Sequence, residues 1–327
     1  MNTKIQHLVA LGTELKKLSI DQDFLWSVES QNPWFIPDFT KLSLESITNN
    51  FLQTDKLDAW LGHYAVKEKG SLGIILAGNI PIVGFHDILC SYFCSEKIEI
   101  KLSSKDLKLT PHILKLWTDI DPLWKERLSI VDRLGSCEKI IATGSNSAYN
   151  YFEQYFGKYK NILRRNRTSV AIVPKDISNE ELNFLIDDIF IYFGLGCRNV
   201  SKLWIEKGFE LSRIFEASER YNSFFNHVKY MNNYDYQRTL LLLNKVPHLS
   251  NNFLMLKEDK SLFSPISVLN YESFEDIKEV KSLLAANQQD IQCIVGRDFV
   301  PFGQTQQPAL SDYADGVDTM NFLLSNE

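Results

Sequence analysis

A cysteine follows a glycine-rich break in the second half of the chain, in the segment FGLGCRNVSKLWI. Gly194 and Gly196 let the backbone approach a ligand closely, and Arg198 and Lys202 add positive charge nearby. A partly exposed thiol in an electropositive loop favours the thiolate, which is the form that attacks carbonyl groups. Cys197 is therefore the candidate nucleophile. The alternative is a buried, unreactive thiol, the common fate of a free cysteine.

A second set of chemistry-bearing side chains falls on one face of a predicted helix. His86, Cys90 and Cys94 follow one another at intervals of four residues and could bind zinc. However, no fourth ligand lies at metal spacing, and the apolar neighbours favour a packed helix, so we predict no metal site. Cys137 and Cys293 belong to no such constellation.

The composition is ordinary for a globular protein. The chain has 327 residues, 44% of them hydrophobic, which is enough for two domains of about 100–200 residues each. A net charge of −6 argues against nucleic acid or an anionic membrane as a partner, since both select clustered Lys and Arg. No stretch approaches ~20 apolar residues, so we expect no membrane span. The five scattered cysteines favour a reducing compartment, and we expect a cytoplasmic protein.

Short apolar runs alternate with helical patterns through the first half of the chain. The predicted strands are residues 72–77, 98–102, 128–131, 139–143 and 168–173. This alternation predicts βαβ units and a buried parallel sheet, whose ligands bind at the carboxyl ends of the strands. The loops at Gly78-Asn79 and Gly144-Ser145 lie at such ends. We therefore expect a dinucleotide-binding domain here, preceded by an N-terminal region that is mostly helical. Its first predicted helix is amphipathic, with Ile5, Leu8, Leu11 and Leu15 on one face.

The second half predicts another α/β domain. A helical pattern over 180–193 leads to the Cys197 turn and a strand at 200–205, and further strands are expected later. The predicted organisation is residues 1–175 for the helices and dinucleotide domain, 176–310 for the domain with Cys197, and 311–327 for a tail that could return to the first domain.

Six motifs occur in an order that resembles a known family. They are ILAGNIPIVGFHD, IKLSSKD, IATGSN, NRTSVAIV, FGLGCRNVSKLW and VPFGQTQQPALSDYADGVDT. Over roughly residues 30–325 the chain resembles the LuxC-type acyl-CoA reductases of the aldehyde dehydrogenase superfamily. The resemblance implies an aldehyde-dehydrogenase-like α/β fold, with a Rossmann-type dinucleotide-binding domain and an α/β catalytic domain.

The resemblance also implies roles for individual residues. Cys197 matches the catalytic cysteine, and Asn79 matches the asparagine whose amide helps to form the oxyanion hole. Loss of one such donor typically lowers the rate by ~10²–10³. On local sequence alone Asn79 would be read as a turn or capping residue. Gly144 and Ser145 match the pair that opens the helix beneath the cofactor pyrophosphate.

The cofactor preference follows from the same comparison. Lys101 matches the lysine that contacts the adenosine ribose. Many NAD-specific relatives carry a glutamate three residues later, where this chain has Ser104. A carboxylate there would repel a 2′-phosphate, whereas Ser104 with Lys101 and Lys105 would accept one. We therefore predict NADPH. Without the resemblance, both lysines would be read as solvated surface charges.

Three positions depart from the superfamily pattern, and one later segment matches it. Asn166 stands near the glutamate that activates water in hydrolytic members, and an amide cannot act as a general base. Tyr149 replaces a further glycine near the pyrophosphate, and Ser261 replaces the glutamate that contacts the nicotinamide ribose. The segment 301–303 matches a late Pro-Phe-Gly, expected near the substrate channel, although a plain turn would explain it equally well.

The expected function is NADPH-dependent reduction of acyl-CoA, especially fatty acyl-CoA, to an aldehyde through a thioester on Cys197. Two alternatives stay open. The same cysteine could transfer acyl groups without hydride transfer, or the chain could be a non-catalytic assembly subunit. Besides acyl-CoA, the expected partners are a second copy of the chain or an acyl-donor protein.

Overall fold

The computed structural model describes residues 1–325. They divide into two compact units. One comprises residues 1–166 together with the chain from Pro308 onward, and the other comprises Arg167–Gln307. The chain therefore leaves the first unit once and returns to it.

The first unit contains four N-terminal helices followed by alternating strands and helices. In chain order its elements are α1 (Asn2–Leu18), α2 (Gln22–Gln31), α3 (Pro37–Asn50), α4 (Thr54–Leu61), β1 (Ser71–Ile75), α5 (Phe85–Cys94), β2 (Lys97–Lys101), α6 (Leu109–Ile120), α7 (Pro122–Arg127), β3 (Leu128–Ile130), β4 (Lys139–Thr143), α8 (Asn146–Phe156) and β5 (Lys160–Arg164).

The second unit contains a sheet of six strands, one more than the first. In chain order the helices and strands of this unit are β6 (Thr168–Val173), α9 (Asn179–Phe190), β7 (Val200–Glu206), α10 (Ser212–Ser218), α11 (Val228–Leu243), β8 (Leu249–Ser250), β9 (Met255–Glu258), β10 (Val268–Phe274), α12 (Ile277–Ala286) and β11 (Ile291–Val295). The chain then returns to the first unit, where its last described element is α13 (Thr319–Leu324).

The sheet of the first unit is parallel throughout, in the order β3-β2-β1-β4-β5. Its central strand β1 pairs Ile74 with Ile100 on one side and with Ile141 on the other, and all three side chains are buried. The strand order reverses at β1. In open parallel sheets the carboxyl edge beside such a reversal is where ligands bind.

The N-terminal helices cover this unit with apolar faces. The four residues that the sequence places on one face of α1 are all buried, as predicted: Ile5, Leu8, Leu11 and Leu15. They join the same hydrophobic core as the central strands. Among residues 1–325, no helix is long and apolar enough to cross a membrane.

The sheet of the second unit has the order β11-β6-β7-β10-β9-β8, and only the short edge strand β8 runs antiparallel. The predicted strand at 168–173 has the expected bounds but a different location from the one proposed, because it pairs with β7 and β11 in this sheet. Its residues are all buried. An apolar run of this kind indicates a buried parallel strand without indicating which sheet contains it.

Candidate active-site residues

The chain before Cys197 turns in an uncommon backbone conformation. After α9, the 3₁₀ turn Ile191–Gly194 contains Tyr192 and Phe193, both at φ 56°, followed by Gly194 at φ 74°. A non-glycine residue in this left-handed region costs about 1–2 kcal/mol. The Tyr192 and Phe193 side chains are buried, and the Phe193 ring lies 4.4 Å from that of Phe224. Packing therefore holds the turn that precedes the candidate nucleophile.

Asn199 braces the loop from the other side. It is buried, and its Nδ2 donates to the carbonyls of Asp188 at 3.1 Å and Ile191 at 2.7 Å, at the end of α9. Its Oδ1 accepts from the backbone N–H of Gly196 at 2.8 Å. One side chain thus links the helix end to the residue next to Cys197.

The backbone of Cys197 is also fixed to the neighbouring strand. The Ser169 hydroxyl, on β6, donates to the Cys197 carbonyl at 3.0 Å and accepts from the Cys293 N–H at 3.0 Å. Ser169 is fully buried. The loop is therefore tied to both α9 and β6, and a fixed main chain keeps the thiol in a defined place.

Cys197 differs from the other cysteines in its exposure. The other four cysteines are buried, whereas Cys197 is partly exposed. Burial raises the pKa of Cys94 to about 12 and, with the adjacent Glu99 carboxylate, that of Cys137 to about 11. Burial also raises the pKa of Cys90 well above its ordinary value. Only the thiolate is strongly nucleophilic, so these three thiols are unreactive at neutral pH.

The two cations near Cys197 in sequence have their own partners. The Arg198 Nε donates to the Thr305 carbonyl at 2.5 Å. The Lys202 side chain is fully buried, and its ammonium donates to the Glu272 carboxylate at 2.7 Å and to the Asp259 carbonyl. Lys202 is therefore engaged in a cross-strand ion pair, which corrects the expectation that it supplies charge to the thiol.

The late segment 301–303 is anchored by a buried carboxylate. Asp188 accepts from the Gly303 N–H at 2.7 Å, and from the Thr305 N–H at 3.1 Å and hydroxyl at 2.7 Å. Burial raises the pKa of Asp188 to about 6. Because Asn199 also bonds the Asp188 carbonyl, this aspartate connects segment 303–305 with the brace of the cysteine loop.

Sequence reasoning missed Asn199, Asp188 and Ser169. A usable signal existed for Asp188, since a carboxylate falls within the apolar pattern of α9. Buried carboxylates need donors, so this position indicated a polar anchor. Asn199 directly precedes β7 and Ser169 lies near the start of β6. Small polar residues are common at strand ends, so neither position stands out in the sequence.

Ser261 lies in a turn within which its hydroxyl group forms a hydrogen bond. The Ser261 Oγ donates to the Phe263 carbonyl at 3.0 Å. The buried Asn270 Nδ2 braces the same turn by donating to the carbonyls of Ser261 at 3.1 Å and Phe263 at 3.0 Å. The Ser261 hydroxyl and the Asn270 amide therefore order this turn.

In the first unit, the loops after β1 and β2 pack tightly against each other. A Cβ added at Gly78 would lie 2.6 Å from the Ser103 Oγ and 3.1 Å from the Lys105 Cβ. Only glycine fits there without displacing the second loop. Asn79, the next residue, is half-buried beside this contact.

In the loop after β2 the lysines are exposed and the carboxylate is buried. Lys101, Ser104 and Lys105 are exposed. Asp106 is buried, and it accepts from the N–H groups of Leu109 at 3.0 Å and Thr110 at 3.1 Å at the start of α6. The only carboxylate of the IKLSSKD segment is therefore directed into the helix end, and the exposed part of this loop is cationic.

The third candidate loop opens α8. Ser145 is its N-cap and accepts from the Ala148 N–H at 3.3 Å. A Cβ at Gly144 would lie 2.8 Å from the Ala148 Cβ, so a side chain here would disturb the first helical turn. Tyr149 follows within this first turn. An exposed helix N-terminus beside a close glycine turn suits a phosphate group, so the residues present fit a dinucleotide.

The cluster of His86 with two cysteines has the contacts of a packed helix. The His86 Nε2 lies 2.9 Å from the Leu310 carbonyl, and burial lowers its pKa. The Cys94 Sγ lies 3.6 Å from the Met320 Sδ. Within residues 1–325, no group of three or more His, Cys, Asp or Glu side chains is placed to bind a metal ion.

Solved structures with the same fold are aldehyde dehydrogenases. The betaine aldehyde dehydrogenase of Staphylococcus aureus matches with a TM-score of 0.65 and 11% identity, over 90% of this chain and 70% of that one. An acetylating aldehyde dehydrogenase from Geobacillus thermoglucosidasius matches at 0.60 and 9%, over 90% and 76%. The indole-3-acetaldehyde dehydrogenase of P. syringae, in complex with NAD+, matches at 0.60 and 12%, over 90% and 72%.

The fold is therefore α/β and aldehyde-dehydrogenase-like, with a Rossmann-type unit and a unit that contains Cys197. At such low identities the likeness concerns the fold alone. No family model matches the sequence, and no curated protein matches it.

Proposed function

We propose that this chain is an NADPH-dependent acyl-CoA reductase that converts acyl-CoA, especially fatty acyl-CoA, to an aldehyde through a thioester on Cys197. The observation that carries the proposal is the partly exposed Cys197 on a braced loop, beside four buried thiols. The aldehyde-dehydrogenase-like fold supports it, and so does the sequence resemblance to LuxC-type acyl-CoA reductases.

In the proposed reaction, the Cys197 thiolate attacks the thioester carbonyl and forms a carbon–sulfur bond. The resemblance assigns stabilisation of the oxyanion of the tetrahedral intermediate to the Asn79 amide, and the Cys197 N–H is the second proposed donor. Collapse of this intermediate expels CoA as its thiolate and leaves an acyl group on Cys197. The Ser169 and Asn199 contacts hold the loop through these steps, so that little reorganisation is needed.

The nicotinamide supplies a hydride when bound. Hydride addition to the acyl carbonyl would give the anion of a hemithioacetal on Cys197. Its carbon–sulfur bond then breaks, which releases the aldehyde and regenerates the thiolate. In this proposal Lys101, Ser104 and Lys105 would hold the adenosine end of the cofactor, and Gly144 and Ser145 would hold its pyrophosphate. The exposed cations and the inward-facing Asp106 favour a 2′-phosphate.

Asn166 supports acyl exchange with CoA over hydrolysis. It occupies the place in the resemblance where hydrolytic relatives have a water-activating glutamate. Its side chain is an exposed amide, and its N–H donates to the Asn146 Oδ1 at 3.0 Å. An amide does not take up a proton at neutral pH, so it cannot activate water.

The decisive experiment traps the acyl group. The chain is incubated with a fatty acyl-CoA without NADPH, and the acylated peptide is located by mass spectrometry. We expect acyl transfer to Cys197, loss of labelling in Cys197→Ser, and unchanged labelling in Cys137→Ser, whose thiol is buried with a pKa of about 11. Addition of NADPH should then remove the label and release aldehyde as absorbance at 340 nm falls.

Other outcomes separate the alternatives. A labelled Cys197 that is not discharged by NADPH would indicate an acyl-transfer module, which the Tyr149 and Ser261 departures favour. Absence of any label across several chain lengths would contradict both enzymatic proposals and leave an assembly subunit. We further propose a cytoplasmic protein that works with a second copy or an acyl-donor protein.

A further inference from the structure

A cavity of about 160 Å³ lies at the amino ends of β1, β4 and β5, on the sheet edge opposite the candidate cofactor loops. Three lysines line it: Lys69, Lys139 and Lys160. Glu138 is the only carboxylate among its described lining residues. The cavity is therefore strongly cationic, and the proposed reaction does not use it.

Two of these lysines hold the last helix of the chain. The Lys139 ammonium donates to the carbonyls of Phe322 at 2.9 Å, Leu323 at 2.7 Å and Ser325 at 2.8 Å, and Lys69 donates to the Leu324 carbonyl. Cations at the carboxyl end of a helix are favourable, because the last carbonyls are without helical partners. These hydrogen bonds explain why Lys139 lines the cavity, and they explain part of the role of Lys69.

The third lysine of the cavity, Lys160, takes no part in these contacts with α13. Its Nζ is buried and has no hydrogen-bond partner among residues 1–325. A buried ammonium without an anion or an acceptor is costly. Burial lowers the pKa of Lys139, and the charges of Lys160 and Lys69 lower it further, as expected for ammonium groups that crowd one space.

Neutral polar groups complete the cavity. The Ser71 hydroxyl accepts from the Glu138 N–H at 3.1 Å, which leaves its own proton to donate. Ser95 also lines the cavity. Ammonium and hydroxyl donors around a space of this size suit a compact anion with several acceptor oxygens.

We propose that this cavity binds a phosphate-sized oxyanion, held by the Lys160 ammonium and the Ser71 hydroxyl. The ligand class is inorganic phosphate or the phosphate group of a small metabolite. Because the anion contacts strand ends to which Lys139 and Lys69 attach the last helix, binding stabilises the first unit.

The first test measures phosphate binding by isothermal titration calorimetry in a buffer without phosphate, at constant ionic strength set with chloride. Lys160→Met keeps the length of the side chain and removes the charge, and Lys158→Met is the matched control because Lys158 is exposed two residues away. We expect the Kd for phosphate to rise at least about tenfold in Lys160→Met, the effect of losing one charge-assisted bond, and to stay unchanged in Lys158→Met.

The second test measures the Tm of each protein with and without phosphate, and so also shows whether a variant is folded. Phosphate should raise the Tm of the unmodified chain and of Lys158→Met, but not that of Lys160→Met. Without phosphate, Lys160→Met should be at least as stable as the unmodified chain, because it lacks the unpaired charge. Equal responses of all three proteins would overturn the proposal.

A further variant locates the anion. Phosphate could also bind at the proposed cofactor loop, in which case Lys105→Met and not Lys160→Met would weaken phosphate binding, and the proposal would be wrong.

Discussion

Ser104 is the residue at which the proposed choice of cofactor is made. It is exposed in a loop between two lysines, and the nearby Asp106 carboxylate is used by the start of α6. The local charge available to an adenosine ribose is therefore positive. A 2′-phosphate gains from such a site, whereas a 2′-hydroxyl gains little.

Ser104→Glu should reverse this preference. The new carboxylate would repel the 2′-phosphate and accept from a 2′-hydroxyl, so we expect the Kd ratio of NADPH to NADH to rise by about tenfold or more, which corresponds to about 1.4 kcal/mol. Fluorescence titration of both cofactors measures this ratio. Lys108→Glu, at an exposed position of the same segment, is the control for a general charge effect. An equal change in the two variants would contradict the assignment.

Asp188 should make the stability of the chain depend on pH. Its pKa of about 6 lies above the ordinary value of 3.8 because the carboxyl is buried. Between these values the folded chain binds more protons than the unfolded chain, so this group's contribution to stability falls as the pH rises from about 4 to about 6. A shift of this size corresponds to roughly 3 kcal/mol.

Asp188→Asn isolates that contribution. From pH 4 to pH 7, the unfolding free energy of the unmodified chain should fall relative to that of the variant by on the order of 3 kcal/mol. Urea unfolding at several pH values measures it. A constant difference across this range would show that Asp188 does not titrate there. The exposed Asp235 serves as a control, since Asp235→Asn should produce no such change.

At the scale of elements, the connection between α9 and β7 determines where the nucleophile lies. The connection is short, it passes through left-handed residues, and one buried side chain spans it. Such a turn persists only if its surroundings fix it. The catalytic competence we propose therefore depends on Asn199 as a positioning residue.

Asn199→Ala should loosen this connection. The Asp188 and Ile191 carbonyls and the Gly196 N–H lose their partner, which should cost about 1–3 kcal/mol of unfolding free energy. The rate of acyl transfer to Cys197 should fall with little change in acyl-CoA affinity, measured by labelling over a range of acyl-CoA concentrations. Asn244→Ala removes an exposed amide at the end of α11 and should change neither quantity. A fall in affinity alone would contradict a positioning role.

At the scale of the whole molecule, the chain departs from its first unit after residue 166 and returns at Pro308. The returning segment is held by apolar contacts of Leu310, Met320 and Leu323, and by a buried polar group. In that group the Arg164 guanidinium pairs with the Asp87 carboxylate of α5, and the Thr319 hydroxyl lies 3.4 Å from Arg164.

Asp87→Ala tests this attachment. It would leave Arg164 buried without its counter-ion, and removal of one partner of a buried pair costs about 3–5 kcal/mol. We expect that loss in chemical unfolding, and faster proteolysis near α13. Asp119→Ala, which removes an exposed ion pair with Lys115 on α6, should cost less than about 1 kcal/mol. Equal stability of the two variants would show that the pair does not hold the returning chain.

The fold class and most elements followed from the sequence, because apolar periodicity reports burial directly. The strand at 139–143 was predicted with its observed bounds, and the apolar face of α1 with its buried residues. The strands β5 and β11 were not predicted, since their alternating or half-buried residues give a weaker signal. The six motifs led to the aldehyde-dehydrogenase-like fold, and the residue roles carried over with them remain predictions.

The sequence by itself thus determined which segments are buried, which loops follow the strands, and that Cys197 stands in a glycine-rich turn. The tertiary structure alone decided that Thr168–Val173 belongs to the second sheet, that Lys202 pairs with Glu272, and that Asp188 and Asn199 brace the loop. The physical reason is that burial leaves a periodic trace along the chain. Partners brought together from distant positions leave none, because a hydrogen bond depends on distance and angle and not on spacing in sequence.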